Sequence, residues 1–154
     1  MKNENETLLI EDGVVVKCID SYARSVVIPD GVTEIGFYSF TCCEFLSTVE
    51  IPKGVIKISA GAFSGCESLS SVVIPEGVVY IDLWAFQHCE SLSTLVLPSS
   101  IKAIGGEAFD WCESLEKIEF GGTMAQWEAV QKDSCWIGVV PAKVVKCSDG
   151  EVAL

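Results

Sequence analysis

Histidine is almost missing from this 154-residue sequence, and basic residues are scarce: one histidine and ten lysines and arginines stand against 22 acids. Histidine-based nucleophilic catalysis would have to come from His88 beside Cys89, and adjacent side chains on an irregular segment point different ways. There is no C-x-x-C pair, and the neighbouring Cys42 and Cys43 are poor geometry for joint ligation of one tetrahedral zinc. No D-x-D-x-D-G loop provides for calcium, and no phosphate-binding or dinucleotide fingerprint occurs. The pairs Gly105-Gly106 and Gly121-Gly122 fit turns. Catalytic, cofactor-binding and metal-ligating residues are therefore expected to be none. The net charge of −12, unrelieved by any basic run, opposes nucleic acid and anionic lipid surfaces, which carry the same sign. Apolar runs such as Val14-Val15-Val16 fall far short of the ~18–20 residues of a membrane helix. The opening Met1-Lys2-Asn3-Glu4-Asn5-Glu6 is polar and acidic, without the apolar core of a secretion signal. Either the chain stays inside the cell or a leader lies outside this sequence.

What is present is apolar content and order. Hydrophobic residues make up 49% of the chain, which excludes a disordered polymer, and the length suits one domain with a buried core. Eight cysteines suggest a disulfide framework at first, but Cys43, Cys66, Cys89 and Cys112 are each 23 residues apart. They occupy one phase of a repeat and read as a column of small buried thiols. Cys18, Cys42, Cys135 and Cys147 lie outside that column, and a bridge at Cys18 or Cys147 stays open.

The same 23-residue period recurs in Pro29, Pro52, Pro75 and Pro98, in Phe40, Phe63, Phe86 and Phe109, and in Leu46, Leu69, Leu92 and Leu115. Ile35, Ile58, Ile81 and Ile104 follow it too. Four independent columns without an insertion identify an internal repeat, carried by four units over residues 26–120. In the unit beginning Leu46, apolar residues at 46, 49 and 51 give the L-x-x-L-x-L spacing of a leucine-rich repeat. Val49 and Ile51 alternate with Thr48 and Glu50, as a half-buried strand should, and proline then stops the strand because it lacks an N–H. Val55, Ile58, Ala62 and Phe63 fill the core from a return segment too short for more than a helical or 3₁₀ turn. One unit cannot bury its apolar face alone, so the units must stack. Residues 8–25, with Asp12-Gly13 between two apolar runs, read as a β-hairpin cap. Residues 121–154 read as a second cap: a helix from Met124 to Lys132 behind Thr123, then a strand at Val144 to Cys147.

The unit V-x-I-P-x-G-V-x-x-I-x-x-x-A-F-x-x-C-x-x-L-S, clearest from Val72 to Leu92, resembles the BspA-like (Treponema pallidum type) leucine-rich repeat, and the resemblance covers nearly the whole chain. The tail Gly122-Thr123-Met124-Ala125-Gln126-Trp127, with Lys146-Cys147-Ser148-Asp149-Gly150, is similar to the ending such arrays carry. The resemblance implies an α/β repeat solenoid, right-handed, with a short parallel β-sheet on one face and short helical or 3₁₀ turns on the other. It implies bacterial surface or secreted proteins that adhere to host proteins or other cells, with no common active site. The expected function is thus a non-enzymatic, monomeric module for a protein or peptide ligand, related to adhesion. The alternative is an intracellular scaffold, or a fragment of one.

Two surfaces are candidates for that ligand. One is the outward strand face, with the columns Ser25, Thr48, Ser71, Thr94, Lys117 and Val27, Glu50, Val73, Val96, Glu119. These residue types also suit any exposed strand. The other is a set of aromatics at positions the repeat does not fix: Phe37, Tyr38, Tyr80, Trp84 and Trp111. They either mark a partner interface or partly cover the core.

Overall fold

The computed structural model describes the backbone of residues 3–5 and all of residues 7–154. The reading of residues 1–6 as lacking a secretion signal rests on side chains outside that set. In chain order the strands are β1 (Asn3–Asn5), β2 (Leu8–Glu11), β3 (Val14–Cys18), β4 (Ser25–Val27), β5 (Glu34–Ile35), β6 (Thr48–Glu50) and β7 (Lys57–Ile58). Then come β8 (Ser71–Val73), β9 (Tyr80–Ile81), β10 (Thr94–Leu97), β11 (Ala103–Ile104) and β12 (Lys117–Phe120). Helix α1 (Met124–Ala129) precedes β13 (Gln131–Lys132), β14 (Val144–Cys147) and β15 (Gly150–Ala153).

The repeat folds as a β-solenoid. The L-x-x-L-x-L segments form the front face, where β4 pairs parallel with β6, and β8, β10, β12 and β14 pair parallel in turn before β15 closes antiparallel. Residues 23 apart lie side by side, as in Thr94 against Ser71 and Lys117. The front ladder is interrupted between β6 and β8, which belong to separate sheets. A second sheet runs along another side, in the order β1-β2-β3-β5-β7-β9-β11-β13. Its central strands are two residues long and set Val15, Ile35, Ile58, Ile81, Ile104 and Lys132 in register. The rung pattern therefore runs one strand beyond the four regular repeats at each end. The β2–β3 hairpin turns at Asp12 and Gly13, whose φ values of 50° and 79° are the left-handed pair a type I′ turn requires.

On the return side the expected helical turn takes the form of successive i→i+3 turns. Ser39 N–H donates to Gly36 O, Thr41 N–H to Tyr38 O and Cys43 N–H to Phe40 O. Between turns the chain dips into the left-handed region at two positions per rung. Tyr38, Gly61, Trp84 and Glu107 form one such column; Cys42, Gly65, His88 and Trp111 form the other. Those dips swing alternate N–H groups toward the next rung: Tyr38 N–H bonds Ala60 O, Phe63 N–H bonds Ala85 O, and His88 N–H bonds Asp110 O. The return segment thereby satisfies its backbone between rungs as a sheet would.

The core lies between these sides. The rings of Phe40, Phe63, Phe86 and Phe109 stack nearly parallel at centroid spacings of 4.8, 5.1 and 5.2 Å, and each is fully buried. Offset stacks of this kind add ~0.5–1.5 kcal/mol per pair beyond area burial. Trp136 meets Phe109 edge-on, at 6.1 Å and 87°, and Trp127 packs against both Trp136 and Phe120. The cysteine column is buried beside the rings, and the thiols of Cys66, Cys89 and Cys112 donate to Phe40 O, Phe63 O and Phe86 O at 3.2–3.3 Å. Burial pushes the Cys66 and Cys112 thiols up to about 12, and Cys89 well above its ordinary value.

Helix α1 starts in a capping box: Thr123 Oγ1 accepts from Gln126 N–H, and the Gln126 side chain accepts from Thr123 N–H. It ends at Ala129, short of the Lys132 expected from the sequence, because Gln131 and Lys132 are drawn into β13 against β11. Lys132 Nζ instead reaches back to donate to Trp127 O and Val130 O, both at 2.8 Å, and lies 4.4 Å from the Trp127 ring centroid. A cation at a helix C-terminus opposes the negative end of the dipole.

Candidate protein-interaction surfaces

Strand pleating decides which residues the front face presents. Val26, Val72, Leu95 and Ile118 point inward and are buried; the residues on either side of each point out. Ser25, Thr48, Ser71 and Lys117 are exposed and Thr94 is half-buried, while Thr48 Oγ1 donates to Ser25 Oγ at 2.9 Å. In the second column Val27 is 59% and Val73 62% exposed, Glu50 is exposed, and Val96 and Glu119 are half-buried. The structure brings both columns onto one surface. Pairing of β12 with β14 adds Lys146 beside Glu119, a neighbour the 23-residue period does not reveal because residues 121–143 leave the repeat. Lys117 Nζ lies 2.7 Å from Glu119 Oε1, and Lys117, helped by Lys146, holds the Glu119 carboxyl below its ordinary value.

The missing ladder between β6 and β8 opens a groove of about 350 Å³ in this face. Thr48, Glu50, Ser71 and Val73 line it together with Ile51 and Pro75, and Val49 at its base is only half-buried. Here the strand-face candidates have concavity as well as exposure.

The five aromatic candidates are all exposed, from 37% at Trp84 to 63% at Phe37, but they do not share one patch. Tyr80 lies in β9 of the second sheet, and Phe37 follows β5 of the same sheet. Lys57 Nζ sits 5.3 Å from the Phe37 centroid and 3.4 Å from Asp82 Oδ2, and Tyr80 lines a shallow depression next to Lys57. Tyr38 and Trp84 occupy one left-handed column, two rungs apart, with the Tyr38 ring laid across Gly61 between them. Trp111 occupies the other column and stacks on His88 at 5.6 Å and 9°. Sequence reading missed two exposed features. Tyr22 and Phe45 stack at 5.6 Å, although only Phe45 lies within a repeat. Glu44, Glu67, Glu90 and Glu113 form an exposed column at the same 23-residue period as the core, each one residue after a core cysteine. The period itself was the available signal.

Among the described residues no group of three or more His, Cys, Asp or Glu side chains is placed to hold a metal ion, and no helix is long and apolar enough to cross a membrane. His88 is committed to its stack on Trp111, and Cys89 is sealed in the core.

No curated protein matches the sequence. Solved structures do. A leucine-rich cell surface protein from Faecalibacterium prausnitzii is 27% identical, with a TM-score of 0.69 over 86% of this chain and 43% of its own. A leucine-rich-repeat protein from Bacteroides ovatus is also 27% identical, with a TM-score of 0.68 over 86% of this chain and 34% of its own. This chain thus spans less than half the length of either. The Treponema pallidum leucine-rich-repeat protein, 22% identical, shares the fold at a TM-score of 0.63 over 96% of this chain and 86% of its own. The model of the BspA-type leucine-rich-repeat region matches residues 18–133 in six copies, in keeping with the six parallel rungs of the second sheet, and the chain belongs to that family.

Proposed function

We propose that this chain is a non-enzymatic protein-binding module whose front strand face receives a protein or peptide ligand, in the setting of bacterial cell-surface adhesion. Leucine-rich-repeat proteins are in general protein-interaction modules. The observation that carries the reading here is the pair of outward columns, in which Val27 and Val73 stand more than half exposed and Val73 lines the groove between β6 and β8. Exposed apolar side chains beside hydroxyls, on a surface held by paired strands, suit a partner that buries them. The F. prausnitzii protein, named for the cell surface, supports the adhesive setting. The net charge of −12 disfavours nucleic acid as the ligand.

A second reading, a scaffold without an adhesive role, draws on the length comparison: a 154-residue array spanning 43% and 34% of its structural relatives has the size of a building block. Retention of the chain on immobilised extracellular-matrix protein separates the two. Wild type is expected to be retained, and the double substitution Val73→Glu, Val96→Glu to abolish retention with an unchanged melting temperature. Retention by the double variant removes the strand face from the proposal; failure of wild type to be retained favours the scaffold.

A further inference from the structure

The strongest unassigned feature lies where the last repeat meets residues 137–141. A groove of about 510 Å³ is lined by Trp111, Val139, Val140 and Pro141, with Asp110 and Glu113 at its rim. Its apolar lining faces solvent: Val139 is 92% exposed and Trp111 52%. Two fixed contacts shape it. Trp111, held at a left-handed φ of 57°, is backed by its stack on His88. Asp110 lies against Gly138, where a Cβ would come within 2.0 Å of Asp110 Oδ1, so the close approach of the carboxylate to this segment is one that only glycine permits.

The charge around it has one sign. No lysine or arginine pairs with Asp110 or Glu113 among the described residues. From Glu113 the column Glu90, Glu67 and Glu44 continues away from the groove, one exposed carboxylate per rung. Like charges in register on neighbouring rungs repel, and among the described residues no lysine or arginine pairs with them. An apolar groove with an aromatic wall and an acidic rim is complementary to a side chain that is cationic at its tip and apolar along its stem.

We propose that this groove is a docking site for an extended segment of a partner protein that carries lysine or arginine beside apolar residues. The apolar side chain sits against Val139, Val140 and Pro141. A cation two residues along, on the same face of the extended segment, lies over Trp111 between Asp110 and Glu113. Rungs lie ~4.8 Å apart, so the four glutamates span ~14 Å, a length that takes in three side chains recurring every ~6.7 Å along one face of an extended segment. Two further basic residues at alternate positions then fall along the column. A second copy of this chain is disfavoured as occupant by its own charge of −12. The inference rests on the protein-binding reading above but gives it a surface separate from the front face.

The test uses the full chain and two fluorescent heptapeptides, Val-Ser-Lys-Ser-Lys-Ser-Lys and Val-Ser-Glu-Ser-Glu-Ser-Glu, which place the valine and the charges on one face when extended, with anisotropy read at near-physiological salt. Wild type is expected to bind the lysine peptide and ignore the glutamate one. Trp111→Ala, and separately the pair Asp110→Asn, Glu113→Gln, should each weaken binding at least tenfold with unchanged thermal melts. The pair Asp30→Asn, Glu151→Gln, which removes equal charge elsewhere, should change it less than twofold, and Val73→Glu, Val96→Glu should leave it intact. Equal losses in the groove pair and the charge-matched pair would reduce the interaction to the overall field and overturn the proposal, as would full binding by both groove variants. Self-association of wild type without peptide, lost in Trp111→Ala, would replace the partner by a second copy. If the groove variants bind normally while the Val73, Val96 variant loses matrix retention, the front-face reading stands and this one falls.

Discussion

In the column Ser39, Ala62, Ala85 and Ala108, only the first rung carries a hydroxyl, and it is buried there. Ser39 Oγ has no hydrogen-bond partner, whereas Ser59, equally buried, donates to Glu34 Oε1. A buried hydroxyl without a partner forfeits its hydration, at a cost of ~1–3 kcal/mol. Ser39→Ala should therefore stabilise the protein by about 1 kcal/mol, read as a higher urea midpoint at unchanged slope. An unchanged or lower midpoint would mean that the hydroxyl finds a partner in solution. The substitution asks only that the first rung adopt the residue its three neighbours already carry.

Among elements, the return segment is the one that sequence pattern describes least. The core columns are legible because the same residue recurs: Phe40 to Phe109, Cys43 to Cys112 and Leu46 to Leu115 announce both the period and the buried side. The left-handed columns hold Tyr38, Gly61, Trp84 and Glu107, then Cys42, Gly65, His88 and Trp111, and share a backbone conformation without sharing a residue type. No spacing argument finds them. The second sheet hides for a related reason: β5, β7, β9 and β11 are two residues long and contribute one buried isoleucine each, too little alternation to read as a strand. The groove beside Trp111 depends on residues 137–141, which lie outside the repeat, so only folding brings them to Asp110 and Glu113. The glycines give the element its test. Gly61 and Gly65 both have positive φ, at 62° and 75°, but a Cβ at Gly61 would meet the Tyr38 ring at 2.3 Å, whereas one at Gly65 finds ordinary contacts from 3.5 Å. Gly65→Ala should cost ~1 kcal/mol for its conformation alone. Gly61→Ala should cost more and turn the Tyr38 ring outward, a change visible in tyrosine fluorescence or ring NMR shifts. Equal costs would contradict this placement of Tyr38.

For the molecule as a whole, the stacked thiols tie stability to alkaline pH. Cys66 and Cys112 are pushed up to about 12 from an ordinary 9.0, and Cys89 is pushed well above its ordinary value by burial. The folded state holds these protons more tightly than the unfolded chain does. Their contribution is complete below pH 9 and declines as pH rises toward 12, because the unfolded chain gains by ionising first. Each thiol should steepen the loss by up to ~1.4 kcal/mol per pH unit in that window. Cys89→Ala, which removes one titrating group from the fully buried centre, should flatten the slope while lowering stability at neutral pH; an unaltered slope would show that the column titrates normally. At pH 8 in the folded protein, iodoacetamide should label the exposed Cys42 and Cys135 and leave Cys66, Cys89 and Cys112 unmodified until denaturant is added.

The left-handed columns carry a further consequence. Tyr38, Trp84 and Trp111 display their rings from backbone positions where a bulky residue costs ~1–2 kcal/mol that glycine avoids. An engineer idealising this rung for stability alone would place glycine at both positions, as Gly61 and Gly65 already do in one repeat, and would obtain a sturdier but blank array. Tyr38, Trp84 and Trp111 thus stand where stability alone favours glycine, and replacing them by glycine is expected to trade exposed rings for backbone ease.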